Sequence, residues 1–214
     1  MHKIKVMLVD DHAVVRMGFK LLLQACDDIA VVAEADSGEA ACQACEMALP
    51  DVVVMDLAMT GIGGIEAIKR LTAKHSALRI LALSAHEDIS HPMRALQAGA
   101  LGYLSKRSAP EVLIDAIRAT ARGQRYVDSQ IAQRIAMQAI NGDSNPVGKL
   151  SAREFEVFEQ LARGQSVAQI SETLNLSGST VGTHLYNIKQ KLGLNNQAEM
   201  TLLAVRHGLI SITE

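Results

Sequence analysis

The chain has 214 residues, 49% of them hydrophobic and 21% charged, which is ample material for one or two compact cores; with only 3% aromatics and no tryptophan, aliphatic side chains must fill them. A formal net charge of −2 excludes a chain-wide pull toward nucleic acid or anionic lipid, so any such surface must be local. No apolar run reaches the roughly 20 residues of a membrane helix, and the N-terminus has no apolar leader core, so no membrane association and a cytoplasmic protein are expected. Cys42 and Cys45 form a C-x-x-C inside a predicted helix, with no second Cys/His pair to complete a metal site. They read as ordinary helix residues of a reducing compartment.

Residues 1–123 alternate strand and helix. Ile4–Val9 is a near-continuous apolar run, as a strand buried on both faces requires. Val14 to Ala25 follows at helical spacing, with Val15, Phe19, Leu22 and Leu23 on a shared face. Ile29–Glu34 reads as a strand, and Ser37-Gly38-Glu39 opens a helix running to Leu49. Asp51–Met55 is a β-branched strand ending at Asp56; Gly61–Gly64 reads as a loop before a helix carrying Ile65, Ile68 and Leu71. Arg79–Leu83 is a strand, Ile89–Ala98 a helix closed by Gly99, and Leu101–Leu104 a short strand. Pro110–Arg122 is a helix with proline in its first turn and Gly123 past its end. Strict alternation predicts an α/β doubly wound, five-stranded parallel sheet. The flavodoxin-like order two-one-three-four-five fits, and its crevice lies beside strands one and three.

The residues at the strand ends carry the chemistry. Asp10 and Asp11 follow strand one, Asp56 strand three, Ser84 strand four and Lys106 strand five. Three carboxylates that close cannot all stay ionised unless a cation enters. Magnesium suits them, since it takes oxygen ligands and keeps several waters. Asp56 can attack a phosphoryl group, Lys106 can neutralise its oxygens, and the Ser84 hydroxyl can donate to one of them. Each residue alone has an ordinary reading as helix cap, loop acid or surface lysine.

In order and spacing, these residues resemble the receiver domain of two-component response regulators. The resemblance implies a phosphoacceptor Asp56 served by a sensor histidine kinase. It implies magnesium held by Asp10, Asp11, Asp56 and the Ala58 carbonyl, and phosphoryl contacts from Ser84 and Lys106. Tyr103 matches the receiver aromatic that turns inward as the hydroxyl moves. Two positions depart from the pattern. Met59-Thr60-Gly61 stands where Met-Pro-Gly is frequent, which frees the backbone at Thr60. Arg107 follows Lys106 where many receivers have proline.

Residues 124–148 change character. Ile131, Ile135 and Ile140 punctuate a polar helix, and Asn141–Pro146 is a breaker cluster, so this stretch reads as a linker helix and flexible linker. Residues 149–214 show only short helices. Ser151 with Glu154 forms a capping-box pattern. Ser166 opens a second helix, and after Asn175-Leu176-Ser177 a third carries Val181, Leu185, Ile188 and Leu192 up to Gly193. Glu199–His207 is a fourth, stopped by Gly208. Two short helices across a tight turn form a helix-turn-helix, whose second helix enters the DNA major groove.

The run from Leu150 to Ile210 resembles the LuxR-type helix-turn-helix of NarL/FixJ-type response regulators. It does so through Leu150-Ser151, Arg153-Glu154, Leu161-Ala162, Gly164, Leu176-Ser177, Thr180-Val181, His184, Asn187-Ile188 and Lys191-Leu192. The resemblance implies double-stranded DNA as partner and a homodimer when phosphorylated. Thr180, Thr183, His184, Tyr186 and Asn187 become expected groove contacts, and Lys189 and Lys191 phosphate contacts. From Lys149 onward six basic residues face six acidic ones, so a lone domain should bind DNA weakly. Two other readings compete. A magnesium phosphohydrolase would need a second acid two residues past Asp56, where Ala58 stands. An interaction protein whose helix-turn-helix no longer binds DNA would fit the neutral charge and the helix-weakening Gly182.

Overall fold

In the computed structural model, which describes residues 3–85, 90–140, 146–207 and 209–210, two compact units divide the chain, the second taking Ser90 and the residues from Met137 on and the first the described remainder up to Ala136. The first holds β1 (Ile4–Val9), α1 (Ala13–Gln24), β2 (Ile29–Ala35), α2 (Gly38–Met47), β3 (Val52–Asp56) and α3 (Gly63–Lys74). It continues with β4 (Arg79–Ser84), α4 (Ser90–Gln97), β5 (Gly102–Ser105), α5 (Pro110–Ala121) and β6 (Tyr126–Val127). The division falls within α6 (Ser129–Ile140).

Strand order is β2-β1-β3-β4-β5-β6, with every neighbouring pair parallel. The doubly wound sheet and the order of its first five strands are as the sequence predicts. The sixth strand is not. Tyr126 and Val127 pair with Gly102 and Tyr103 along the outer edge of β5, inside a stretch read as linker. Two residues carry no measurable alternation, so only the exposed edge of β5 recruits them.

Successive strand residues face opposite sides, and two cores result. Met7, Val9, Val53, Met55, Ile80 and Ala82 pack with Ala41, Ala67, Ile68, Leu71 and Ala95. Val6, Leu8, Val52, Val54, Leu81 and Leu83 pack with Leu23, Leu113, Ala116 and Ile117. A second difference lies after β3. Gly63 and Gly64, expected in a loop, begin α3. A side chain at Gly64 would collide with the carbonyl oxygen of Asp56, so glycine lets this helix start directly against the end of β3. The Gly64 amide also donates to the Leu57 carbonyl at 3.2 Å.

The second unit is helical among its described residues: a 3₁₀ turn (Pro146–Lys149), α7 (Ala152–Ala162), α8 (Val167–Leu174), α9 (Gly178–Leu192) and α10 (Gln197–Arg206). Phe155, Phe158, Leu161, Ile170, Val181, Ile188, Met200 and Ala204 form its core. Ser151, Ser166 and Ser177 each cap the following helix from the side-chain oxygen, the first two within complete capping boxes. Asn196, unforeseen from sequence, caps α10, which begins at Gln197, two residues before the expected Glu199. Of the predicted break at Asn141–Pro146 only Pro146 is described, and it opens the 3₁₀ turn; the start of the fourth helix at Ile89 and Gly208 also lie outside the described residues.

Candidate functional site

The C-terminal rim of the sheet gathers the polar strand-end residues. The Asp10 amide donates to the Ala35 carbonyl at 3.1 Å, which carries β1 one residue further along β2. Asp10 Oδ1 then accepts from the His12 amide at 2.8 Å. Asp56 is the last residue of β3 and is 1% exposed. Its Oδ1 accepts from the Ala58 amide at 3.2 Å. Ser84 ends β4, is fully buried, and lies one residue beyond Leu83, the register partner of Asp56. The Lys106 amide donates to the Ser84 carbonyl at 2.8 Å, which aims the residue after β5 into the same crevice.

One ammonium serves two carboxylates there. Lys106 Nζ lies 2.6 Å from Asp10 Oδ2 and 2.8 Å from Asp56 Oδ2. Its bond to Asp10 is a directed hydrogen bond; toward Asp56 Oδ2 the contact is ionic and the oxygen accepts no hydrogen bond. Burial pushes the Asp56 carboxyl above its ordinary 3.8, with the Asp10 charge adding to the rise and Lys106 opposing it. Burial pulls the Lys106 ammonium down, but the Asp10 and Asp56 carboxylates beside it outweigh that and hold it above its ordinary value. One cation is thus too little for the carboxylates around it.

Asp11 completes the set. Ligand atoms of Asp10, Asp11, His12 and Asp56 lie within 4.8 Å of one another. Asp11 Oδ1 is buried, accepts no hydrogen bond, and sits 2.8 Å from His12 Nδ1. Two buried carboxylate oxygens without a hydrogen bond, on Asp11 and Asp56, are the donor type a hard divalent cation takes, and the residues fit magnesium. Tyr103 pairs with Ala82 in the sheet and is fully buried. Neighbours of the crevice that the sequence did not flag are His12, Arg16, which donates to the Asp10 carbonyl and faces Glu34 at 3.6 Å, and Glu39. His12 follows directly after Asp11, a signal that was available. Arg16 and Glu39 come in from neighbouring helices.

In the second unit, Asn175 takes a left-handed conformation (φ 50°) between α8 and α9, which turns the chain tightly from one helix to the next. Tyr186 is 64% exposed on α9 and Thr183 is exposed with its hydroxyl on the Ser179 carbonyl. Thr180 Oγ1 contacts the Ser177 hydroxyl at 2.7 Å, and Asn187 is half-buried. His184 is half-buried, with Nδ1 buried and unbonded. Burial holds its pKa below the ordinary 6.5, Arg153 adding to the drop and Glu154 opposing it.

The two lysines diverge. Lys191 Nζ binds Glu154 Oε2 at 2.6 Å, and that carboxylate also accepts from the Ser151 amide at 2.7 Å. Among the described residues Lys189 makes no ion pair. Arg153 pairs with Glu156, and Arg163 with Glu159 at 3.3 Å, so much of the unit's positive charge is spent internally.

Comparison with known proteins fits this arrangement. Residues 6–118 match the response regulator receiver domain family, and residues 148–204 the bacterial regulatory proteins of the luxR family. The response regulator UvrY of Escherichia coli K12 is 42% identical over 96% of this chain and 95% of its own length. The response regulator GacA of Pseudomonas syringae pv. syringae is 41% identical over 97% and 98%. The crystal structure of the response regulator ChrA of a heme-sensing two-component system is 36% identical, with a TM-score of 0.55 over 98% of this chain and 100% of that one. With both families matched in sequence and relatives aligned nearly end to end, the chain belongs to the NarL/FixJ-type response regulators, in which a receiver domain precedes a LuxR-type helix-turn-helix.

Proposed function

We propose that this response regulator accepts a phosphoryl group on Asp56 from a sensor histidine kinase and thereby controls its grip on DNA. The observation that carries the reading is the shared ammonium: Lys106 stands within 2.8 Å of both Asp10 and Asp56 at the sheet rim. A phosphoryl group arriving at Asp56 meets that cation at once.

An Asp56 oxygen forms the new P–O bond as the bond from phosphorus to the donor breaks, leaving an acyl phosphate. Lys106 neutralises phosphoryl oxygens, and the Ser84 hydroxyl donates to another. Asp10, Asp11, Asp56 and the Ala58 carbonyl hold magnesium, which when bound draws charge from the phosphoryl oxygens. Tyr103, already fully buried, holds the inward position once Ser84 engages the phosphate. The phosphoryl chemistry is directed at the protein itself; the position two residues past Asp56 is Ala58 and offers no acid for turnover of an external ester.

The output is a population shift. The unit that ends at Ala136, with β6 in its sheet, acts as the receiver, residues 149–214 act as the DNA-binding domain, and phosphorylated chains pair into homodimers. α9 enters the major groove of double-stranded DNA. Tyr186, Thr183, Thr180 and Asn187 face base edges, with His184 behind them, and Lys189 meets phosphate; Lys191 reaches phosphate only by leaving Glu154. The protein works in the cytoplasm; among the described residues no helix is long and apolar enough to cross a membrane.

The test uses the full chain with a small-molecule phosphodonor and Mg²⁺. Mass spectrometry should find one phosphoryl group on Asp56 and none on Asp56→Asn, and a beryllofluoride phosphate mimic should tighten binding to promoter DNA. Modification of another side chain, or unchanged DNA affinity with the mimic, would remove the reading.

A further inference from the structure

The loop after β3 carries threonine at position 60, and that residue reaches the acidic crevice through its backbone. The Thr60 amide donates to Asp11 Oδ2 at 3.2 Å. The opposite carboxylate oxygen, Oδ1, is buried and accepts no hydrogen bond. Oδ2 is therefore tied to the loop, while Oδ1 is left without a hydrogen bond, with the exposed His12 Nδ1 2.8 Å away. A proline at this position would have no N–H to give.

The direction of that amide is fixed from the far side of the loop. The Ile62 amide donates to Glu39 Oε1 on α2 at 2.9 Å. Between the two clamps Gly61 sits at φ +77°, and a Cβ there would come 2.5 Å from the Glu39 carboxylate. The left-handed turn, the Glu39 acceptor and the Thr60 donor form one strap across the loop, running from α2 to Asp11.

We propose that Thr60 is a positioning residue for the cation site: its backbone N–H fixes the Asp11 carboxylate through Oδ2 so that Oδ1 faces the metal. It acts through Asp11 and touches neither metal nor phosphate. Groups that orient a metal ligand typically change affinity by tenfold or more when removed, and this donor exists because the residue is not proline. The inference rests on the magnesium reading above.

Isothermal titration of the full chain with Mg²⁺ alone, without phosphodonor, tests it. Thr60→Pro should weaken Mg²⁺ binding by about tenfold, while Thr60→Ala, which keeps the N–H, should bind as the wild type does. A second measurement needs no variant: in the NMR spectrum of the wild type the Thr60 amide proton should shift saturably on Mg²⁺ addition, with the calorimetric midpoint. Wild type that binds no Mg²⁺ overturns the magnesium reading itself. Wild type that binds, with Thr60→Pro equal to it, with Thr60→Ala as weak as Thr60→Pro, or with a Thr60 amide indifferent to Mg²⁺, overturns only the role of Thr60.

Discussion

At the rim of the first unit, Asp10 and Asp56 divide one ammonium, and Asp11 keeps a buried oxygen with no hydrogen bond. In the second unit, Glu154 has Lys191 to itself and a backbone donor from Ser151 as well. The first arrangement is short of positive charge and is open to change by a cation or a phosphoryl group. The second is satisfied and holds the start of α7 against α9. Incomplete pairing marks the place where charge is meant to change; complete pairing marks the scaffold.

The largest effect that would break this contrast concerns Lys106. Lys106→Met should destabilise the first unit by about 3 kcal/mol in chelator, since it strands two buried carboxylates, and Mg²⁺ should restore part of the loss. An unchanged melting curve would mean that the crevice does not depend on this ammonium. Glu154→Gln should cost the second unit about 1 kcal/mol, the smaller figure reflecting the partly solvated Lys191. Denaturant unfolding read from that unit's methyl signals would check it, and a null effect would make the pair ornamental.

The pH responses should have opposite signs. The folded-state pKa of Asp56 is raised, so its contribution to stability is full below 3.8 and is lost as pH rises through the raised value. The folded-state pKa of Glu154 is lowered, because Lys191 and Ser151 outweigh its burial. Its contribution is full above 4.5 and is lost as pH falls through the lowered value. Half-buried His184, whose folded-state pKa is lowered, adds to the second unit in the same sense, its share fading as pH drops below 6.5. Melting curves of each unit between pH 3 and 7, taken from resolved NMR signals, would expose parallel rather than opposed trends.

The smallest expected effect sharpens the contrast at the DNA. Lys189→Ala should lower the slope of log affinity against log salt by about one. Lys191→Ala should lower it by less, because that ammonium is engaged with Glu154. Equal slopes in a salt series would show that the pair opens on DNA.

Much of the first unit was legible because strands buried on both faces are written as apolar runs, and each run stops at a polar residue. Asp10, Asp56, Ser84 and Lys106 could be placed at one rim on that ground alone. Gly63 and Gly64 misled, since two glycines read as loop until the Asp56 carbonyl shows why nothing larger fits. β6 escaped because two residues have no period. The Thr60 contact escaped because a backbone donor leaves no trace in a residue's identity beyond its not being proline. The engagement of Lys191 depends on Glu154, at the start of α7, and nothing in the local pattern around Lys191 points there.

The serine caps have a kinetic corollary. In the second unit each of three successive helices carries its own start signal at Ser151, Ser166 or Ser177, and local encoding of this kind favours rapid collapse. The first unit must instead bring Val6 beside Val52, and Val52 beside Arg79, before its sheet exists, and such distant pairings assemble slowly. As the chain leaves the ribosome the sluggish partner emerges first. The gene order thus gives the sheet a head start, and its exposed strand edges find one another before the quick helices crowd in behind them.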